Sequence, residues 1–170
     1  MKKIIIGLLL AFSIFAMAGV CSASVSRDKD DFTGAINVHS AYDNGGYYYY
    51  FYKSLTPTQY QYTIRVVKPF YGTPTLTIPT FAQNSYMKIG EDIYTLILLH
   101  TEMDQRLKDL GFLNGTYEVP IEIVDKLKNT DLPIIWRTKW NYPGQSEFIE
   151  NFKVPQNLTQ EWKNVFITES

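Results

Sequence analysis

The chain has 170 residues, a formal net charge of −1, 45% hydrophobic residues and one cysteine. This length suits a short leader and one domain large enough to fold around its own core. No basic block is present to neutralise phosphates, which argues against nucleic-acid binding, and one cysteine excludes an intrachain disulfide or a multi-cysteine metal site.

The first 23 residues have the three parts of a secretory signal peptide. Lys2 and Lys3 are followed by an apolar stretch of about 15 residues and then by small residues that lead to Ala23. A membrane span needs about 20 apolar residues, so this stretch is predicted to be a cleaved leader. We therefore expect export, cleavage near Ala23, and a mature chain that is secreted or periplasmic.

The cleavage point determines whether the mature chain contains Cys21 and whether this cysteine carries a lipid. Cleavage after Ala18 would leave this cysteine near the mature N-terminus, and a bacterial lipoprotein would carry a lipid on it. Val20, directly before Cys21, fits a lipoprotein signal poorly because it is β-branched. Contact with a membrane is expected only through the leader or, in the lipoprotein alternative, through a lipid on Cys21.

Residues 24–31 are predicted to be a short flexible polar lead, and residues 32–170 a single globular domain. Strand-like segments follow at 35–39, 47–52 and 60–68, and the residues Asp43-Asn44-Gly45-Gly46 predict a turn between the first two. Pro57, Pro69, Pro74 and Pro79 indicate loops or edge strands, because proline cannot donate to a β-ladder.

The second half of the domain begins with a hairpin of strands at 85–89 and 93–99. The apolar spacing of Met103, Leu107 and Leu110 is ambiguous between strand and helix. Asn114-Gly115 predicts a tight turn. Strands are also predicted at 134–140 and 148–152.

Two helices are predicted in the C-terminal half. The first runs from Pro120 to about Lys128, and the second begins at an Asn157 cap with Gln160 three residues later. Their expected buried faces are Ile121, Val124 and Leu127 in the first helix, and Leu158, Trp162, Val165 and Phe166 in the second. The predicted class is α+β, with a mostly antiparallel sheet that is sandwich-like or strongly bent.

A run of aromatic residues at 47–52 is the most unusual local feature of the sequence. Strand alternation sends Tyr47, Tyr49 and Phe51 to one face and Tyr48, Tyr50 and Tyr52 to the other. Phe51 assigns the first set to the core. The second set is a candidate contact surface for a protein or glycan, and the alternative is ordinary packing with the hydroxyls at the rim.

A second candidate contact site lies in the strand at 134–140. Trp136 and Trp140 share one face of this strand, which places Arg137 and Lys139 on the other. This basic pair could engage a carboxylate partner, or it could only keep the surface soluble.

The sequence carries no motif that predicts catalysis. Neither His39 nor His100 lies in a zinc-binding spacing, and no serine lies in a Gly-x-Ser-x-Gly elbow. The carboxylates Asp28, Asp30 and Asp31 are close enough to suggest calcium but lack the full spaced acidic loop, so a solvated segment is favoured. We predict no catalytic residue, metal or cofactor.

Several short segments resemble those of small bacterial exported proteins of unknown function. They are Asp31-Phe32-Thr33-Gly34, the segment from Ile89 to Leu96, Tyr117-Glu118-Val119 and Ile135-Trp136-Arg137. The resemblance implies the same fold and location, and it implies nothing about an activity.

These observations lead to three functional hypotheses. The chain is expected to be a non-enzymatic binding or protein-interaction module of the cell envelope, with an unknown protein or glycan partner. The alternatives are an envelope hydrolase acting on glycan or peptide and a purely structural envelope component.

Overall fold

A computed structural model of the protein describes residues 24–29, 35–55, 59–71, 78–107 and 110–168. The predicted leader and Cys21 lie outside these ranges. The described strands are β1 Ser24–Lys29, β2 Ile36–Asn44, β3 Tyr47–Leu55, β4 Tyr60–Tyr71, β5 Thr80–Phe81, β6 Asn84–Ile89, β7 Asp92–Leu107, β8 Leu110–Glu118, β9 Ile134–Asn141 and β10 Phe148–Val154. The described helices are α1 Ile121–Asn129 and α2 Gln156–Ile167.

The strands form one strongly curled antiparallel sheet, as the sequence predicts. Their order is β1-β2-β3-β4-β8-β7-β6-β9-β10, and β5 pairs with β9. We call the part formed by β1–β4 and β8 the first sheet, and the part formed by β5, β6, β9 and β10 the second sheet. The inner faces of both sheets and the two helices enclose one hydrophobic core.

Strand β7 belongs to both sheets. Its first residues, from Asp92 to Ile97, pair with β6, and the residues from Leu98 onward pair with β8. The register shifts between Leu98 and His100, where the strand passes from one sheet to the other. A register irregularity of this kind bends a strand, and this is how a single chain makes a corner between two sheets.

The predicted flexible lead at 24–31 is wrong for its first six residues. Ser24–Lys29 forms β1, which pairs along its whole length with β2, from Ser24 opposite Ala41 to Lys29 opposite Ile36. Backbone hydrogen bonding to an existing edge orders a polar segment even where its side chains bury little. Residues 30–34 lie outside the described part of the chain.

The turn between β2 and β3 follows its sequence signal. Gly45 and Gly46 both have positive φ, at 64° and 93°, and the Gly46 amide donates to Asp43 Oδ1 at 2.8 Å. Glycine adopts this left-handed backbone at no steric cost, which fixes the register of the aromatic strand β3.

For residues 103–115 the structure resolves one ambiguity and corrects one expectation. The segment from Met103 to Leu107 continues β7 and Leu110 begins β8, so no helix forms in the described residues there. Asn114 and Gly115 lie inside β8, opposite Val67 and Val66 of β4. Long-range pairing on both sides of β8 overrides the local preference of Asn-Gly for a turn.

Pro69 lies within β4, between β3 and β8 in the strand order. The β3 pairing ends at Tyr48 opposite Val67, whereas the β8 pairing continues to Tyr71 opposite Leu110. Pro69 therefore stands on a part of β4 that has one neighbour, which is where proline is tolerated.

Helix α2 packs on β1, β2 and β3 of the first sheet, and helix α1 packs on α2. Helix α1 buries Ile123, Val124 and Leu127, whereas Ile121, predicted to be buried, is exposed. The helix begins at Ile121, directly after Pro120, and turns Ile123 rather than Ile121 toward the core. Helix α2 buries its four predicted residues, but it begins after Pro155 with no side-chain cap, so the predicted Asn157 cap is wrong.

Two buried lysines tie distant parts of the structure together. Lys53 of β3 donates to the carbonyl oxygens of Phe166 and Thr168 at 3.3 and 2.9 Å, where a cation complements the C-terminus of α2. Lys68 of β4 donates to Glu150 Oε1 of β10 and to the hydroxyl of Tyr47. The ion pair of Lys68 and Glu150 joins the first sheet to the second.

Candidate functional site

The outer face of the first sheet carries a groove of about 350 Å³. Its lining combines aromatic rings with charged and amide groups from four strands: Tyr48, Tyr50, Tyr52, Arg65, Val67, Asp104, Phe112 and Asn114. We call this feature the tyrosine groove. Its volume lies within the range of natural small-ligand sites.

Strand register explains why these side chains meet. Tyr48 and Tyr50 of β3 stand opposite Val67 and Arg65 of β4, and Val67 stands opposite Asn114 of β8. Directly opposed residues of an antiparallel pair point to the same face. The groove therefore runs across the strands rather than along one of them.

The three tyrosines lie on the face that the sequence predicts. Tyr49 and Phe51 are buried in the core, Tyr47 packs against it, and Tyr48 and Tyr50 are half-buried on the opposite side. Tyr52 is also half-buried, and its ring stacks on Tyr50 with centroids 6.0 Å apart. The assignment of faces is confirmed, and the contact role of these residues stays a prediction.

Arg65 organises the polar part of the groove. Its Nη2 donates to Asn114 Oδ1 at 2.9 Å and lies 3.8 Å from Glu102 Oε1. Its Nε atom is buried and has no hydrogen-bond partner among the described residues. The guanidinium is thus held in place by neighbouring strands, with hydrogen-bonding capacity that they do not use up.

Tyr52 lies between Arg65 and His39. Burial raises the pKa of the Tyr52 phenol, and the Arg65 guanidinium opposes this shift by charge and by a hydrogen bond. The Tyr52 ring also packs on the His39 imidazole, with centroids 5.2 Å apart.

The two histidines make no catalytic arrangement with a serine among the described contacts. His39 Nδ1 lies 3.5 Å from Asp28 Oδ2, a contact that is too poorly aligned to be a hydrogen bond. His100 Nε2 lies 3.2 Å from Glu102 Oε2 on the exposed rim beside Arg65. Each histidine gains an ionic partner only when it is protonated.

Arg137 and Lys139 do not join the tyrosine groove. They lie on the outer face of the second sheet, where Arg137 Nε donates to Asn151 Oδ1 at 2.8 Å and Lys139 pairs with Glu147 at 3.1 Å. The two sites predicted from the sequence therefore occupy the outer faces of two different sheets.

The sequence-based prediction contains the three tyrosines of the groove but not its other five residues, of which Arg65, Asp104 and Asn114 are polar. Arg65 carries a local signal, because Tyr62, Ile64 and Val66 alternate with it and leave it on the outer face. Asp104 and Asn114 carry none, because they reach the groove through the pairing of β7 and β8.

The structure brings no group of three or more metal-ligand side chains together within its described ranges. Asp28 lies in β1 beside His39, and the other two carboxylates of the possible calcium cluster, Asp30 and Asp31, are outside those ranges. In the same part of the chain, no helix has the length and apolar character needed to span a membrane.

Comparison with protein-family models, with curated proteins and with solved structures finds no match to this chain.

Proposed function

We propose that the protein is an exported, non-enzymatic binding module of the cell envelope that holds a glycan segment in the tyrosine groove. The supporting observation is the juxtaposition of stacked tyrosine rings with Arg65 and Asn114 on one sheet face. Sugar rings present both apolar C–H faces and hydroxyl groups, and this lining offers a partner for each. Tyrosine adds contact area at low entropic cost because it has only two side-chain torsions.

The size of the groove favours a short ligand segment over a protein surface. About 350 Å³ accommodates one or two sugar rings. A stable protein interface instead covers about 800 Å² on each partner. The groove lies on strands rather than on loops, and its rings are positioned before any ligand arrives, which lowers the entropic cost of binding.

The test measures binding of soluble peptidoglycan fragments to the exported chain by calorimetry. Tyr50→Ala and Arg65→Gln should each weaken binding at least about tenfold, because interface anchors contribute roughly 1–4 kcal/mol. Tyr71→Ala is the matched control, since Tyr71 is 82% exposed and lies outside the groove. The control should bind like the wild type.

Three results would count against this proposal, and a fourth would select the lipoprotein alternative. Equal weakening by Tyr71→Ala would show that the groove is not the site. Binding of a protein and not of glycan fragments would select the protein-interaction hypothesis. An intact mass that includes residues 1–23 would refute cleavage of the leader, and a mass with lipid on Cys21 would select the lipoprotein alternative.

The hydrolase alternative has one observation in its favour. Glu102 and Asp104 are two residues apart on β7 and share its outer face, with Cα atoms roughly 7 Å apart at the strand rise; Asp104 lines the groove and Glu102 lies beside Arg65. Paired carboxylates at such distances act in glycoside hydrolysis. Fragment cleavage by the wild type that is abolished in Asp104→Asn or Glu102→Gln would replace the binding proposal with this one.

A further inference from the structure

The outer face of the second sheet combines cations with aliphatic side chains in an alternating pattern. One row across the strands reads Ile93, Lys88, Ile135 and Lys153, each the direct partner of the next. The next row contains Tyr86 and Arg137 as direct partners. Opposed residues share a face, so this arrangement places basic and apolar groups side by side.

The aliphatic side chains on this face are unusually exposed. Ile93 is 68% exposed, Ile149 is 55% exposed and Ile97 is 43% exposed. Isolated apolar residues on a surface need no explanation, but a contiguous set of them marks an interaction site. The cluster surrounds a groove of about 510 Å³ lined by Tyr86, Ile93 and Ile135 between basic side chains.

The basic side chains on this face outnumber the acids that approach them. Glu91 lies 3.2 Å from Lys88 and Glu147 lies 3.1 Å from Lys139, and both are exposed residues of adjoining turns. Exposed pairs of this kind are weak and are readily exchanged for other partners. Arg137 donates to the Asn151 amide, an uncharged partner. This face is therefore positive on a chain whose formal net charge is −1.

We propose that this face docks the protein on an anionic lipid surface. The cations contact lipid phosphates, and the aliphatic side chains of β7 and β10 enter the boundary between headgroups and acyl chains. A polyanionic glycan would satisfy the charges but would leave the exposed Ile93 and Ile149 in water. An anionic lipid surface provides phosphates for the cations and an apolar layer at the depth of a side chain.

This contact is independent of the predicted leader and of any lipid on Cys21. It is also independent of the tyrosine groove, which lies on the outer face of the other sheet. The inner faces of the two sheets pack on one core, so a protein docked through the second sheet keeps the groove accessible.

The test is co-sedimentation of the exported chain, of verified intact mass, with phosphatidylcholine vesicles that contain or lack phosphatidylglycerol. Wild type should bind only the anionic vesicles, and added salt should weaken the binding. Arg137→Gln/Lys153→Gln and Ile93→Ser/Ile97→Ser should each reduce binding at least tenfold. Lys126→Gln/Lys128→Gln on α1 removes the same charge elsewhere and should bind like the wild type.

The remaining outcomes overturn the proposal. Absence of wild-type binding to anionic vesicles, or equal binding to neutral ones, would refute an anionic lipid surface. Equal loss in the α1 control would show that net charge, not this face, governs the interaction. Binding of poly-glutamate without binding of vesicles would assign the face to an acidic protein. Far-ultraviolet circular dichroism of each variant verifies that it is folded.

Discussion

The rings of Tyr49 and Phe152 stack with centroids 3.7 Å apart and planes 5° from parallel. Tyr49 lies in β3 of the first sheet and Phe152 in β10 of the second, so this contact closes the curled sheet on itself. Both side chains are buried. Burial of the two rings removes a large apolar area from water and stabilises the contact between the sheets.

Phe152→Ala should therefore destabilise the protein by about 3–5 kcal/mol, because it removes a buried ring and leaves a cavity between the sheets. Phe148→Ala is the comparison, since Phe148 also stacks, on Trp140 at 4.3 Å, but is 45% exposed. Its cost should be about 1 kcal/mol or less. Urea unfolding measures both, and equal losses would show that the closure does not depend on Phe152.

The ion pair of Lys68 and Glu150 should show an asymmetric response to mutation. Glu150→Gln leaves Lys68, 6% exposed, without an anionic partner and should cost about 2–3 kcal/mol. The double variant Lys68→Met/Glu150→Gln removes the buried charge as well and should recover most of that loss. A double variant less stable than Glu150→Gln in urea unfolding would contradict this account.

Gly115 should not tolerate a larger residue. A Cβ atom at this position would lie 2.9 Å from Cε2 and Cγ of the Phe81 ring. Gly115→Ala should cost about 1–3 kcal/mol through overpacking. Combining it with Phe81→Leu should cost less than the sum of the two single changes, which a double-mutant cycle in urea measures. Strict additivity would show that the two residues do not meet.

Buried tyrosines should make the fold sensitive to alkaline pH. Burial raises the pKa of the Tyr117 hydroxyl above its usual value of 10. The folded state then holds this proton more tightly than the unfolded state, so its stability is complete below about pH 10 and falls as pH rises further. Each pH unit above that point costs up to about 1.4 kcal/mol per such group.

Tyr117→Phe removes the ionising hydroxyl and its 3.3 Å hydrogen bond to the Ala82 carbonyl. This variant should lose about 1 kcal/mol at neutral pH, yet its stability should fall less steeply above about pH 10. Tyr71→Phe, at a largely exposed position, should keep the wild-type slope. Urea unfolding at several alkaline pH values measures how steeply the free energy of unfolding falls with pH. Identical slopes for wild type and Tyr117→Phe would contradict the prediction.

Features that depend on short-range periodicity could be predicted from the sequence. The alternation of Tyr48 and Phe51 between two faces needs only the two-residue period of a strand, and the stripe from Leu158 to Phe166 needs only the helical period. Both are local properties of the chain. The fold class follows from the same kind of pattern, because successive half-buried strands and two late helices define it.

Features that depend on pairing between distant strands could not be predicted. Asn114-Gly115 has the local signal of a turn, but the glycine is needed because Phe81, far away in the sequence, packs on it. The residues of the tyrosine groove also fall into a part that could be predicted and a part that could not. Its tyrosines are adjacent in the sequence, whereas Arg65 and Asn114, whose side chains bond directly, are 49 residues apart.

The order of the strands also has a consequence for how the chain folds. Strand β8 inserts between β4 and β7, and β9 between β6 and β10, so neither sheet is complete until late segments arrive. The bond from Trp136 to Ser85 spans 51 residues, and the bond from Lys53 to the Phe166 carbonyl spans 113. Closing such long loops before their contacts form is slow, which places folding on the timescale of milliseconds to seconds.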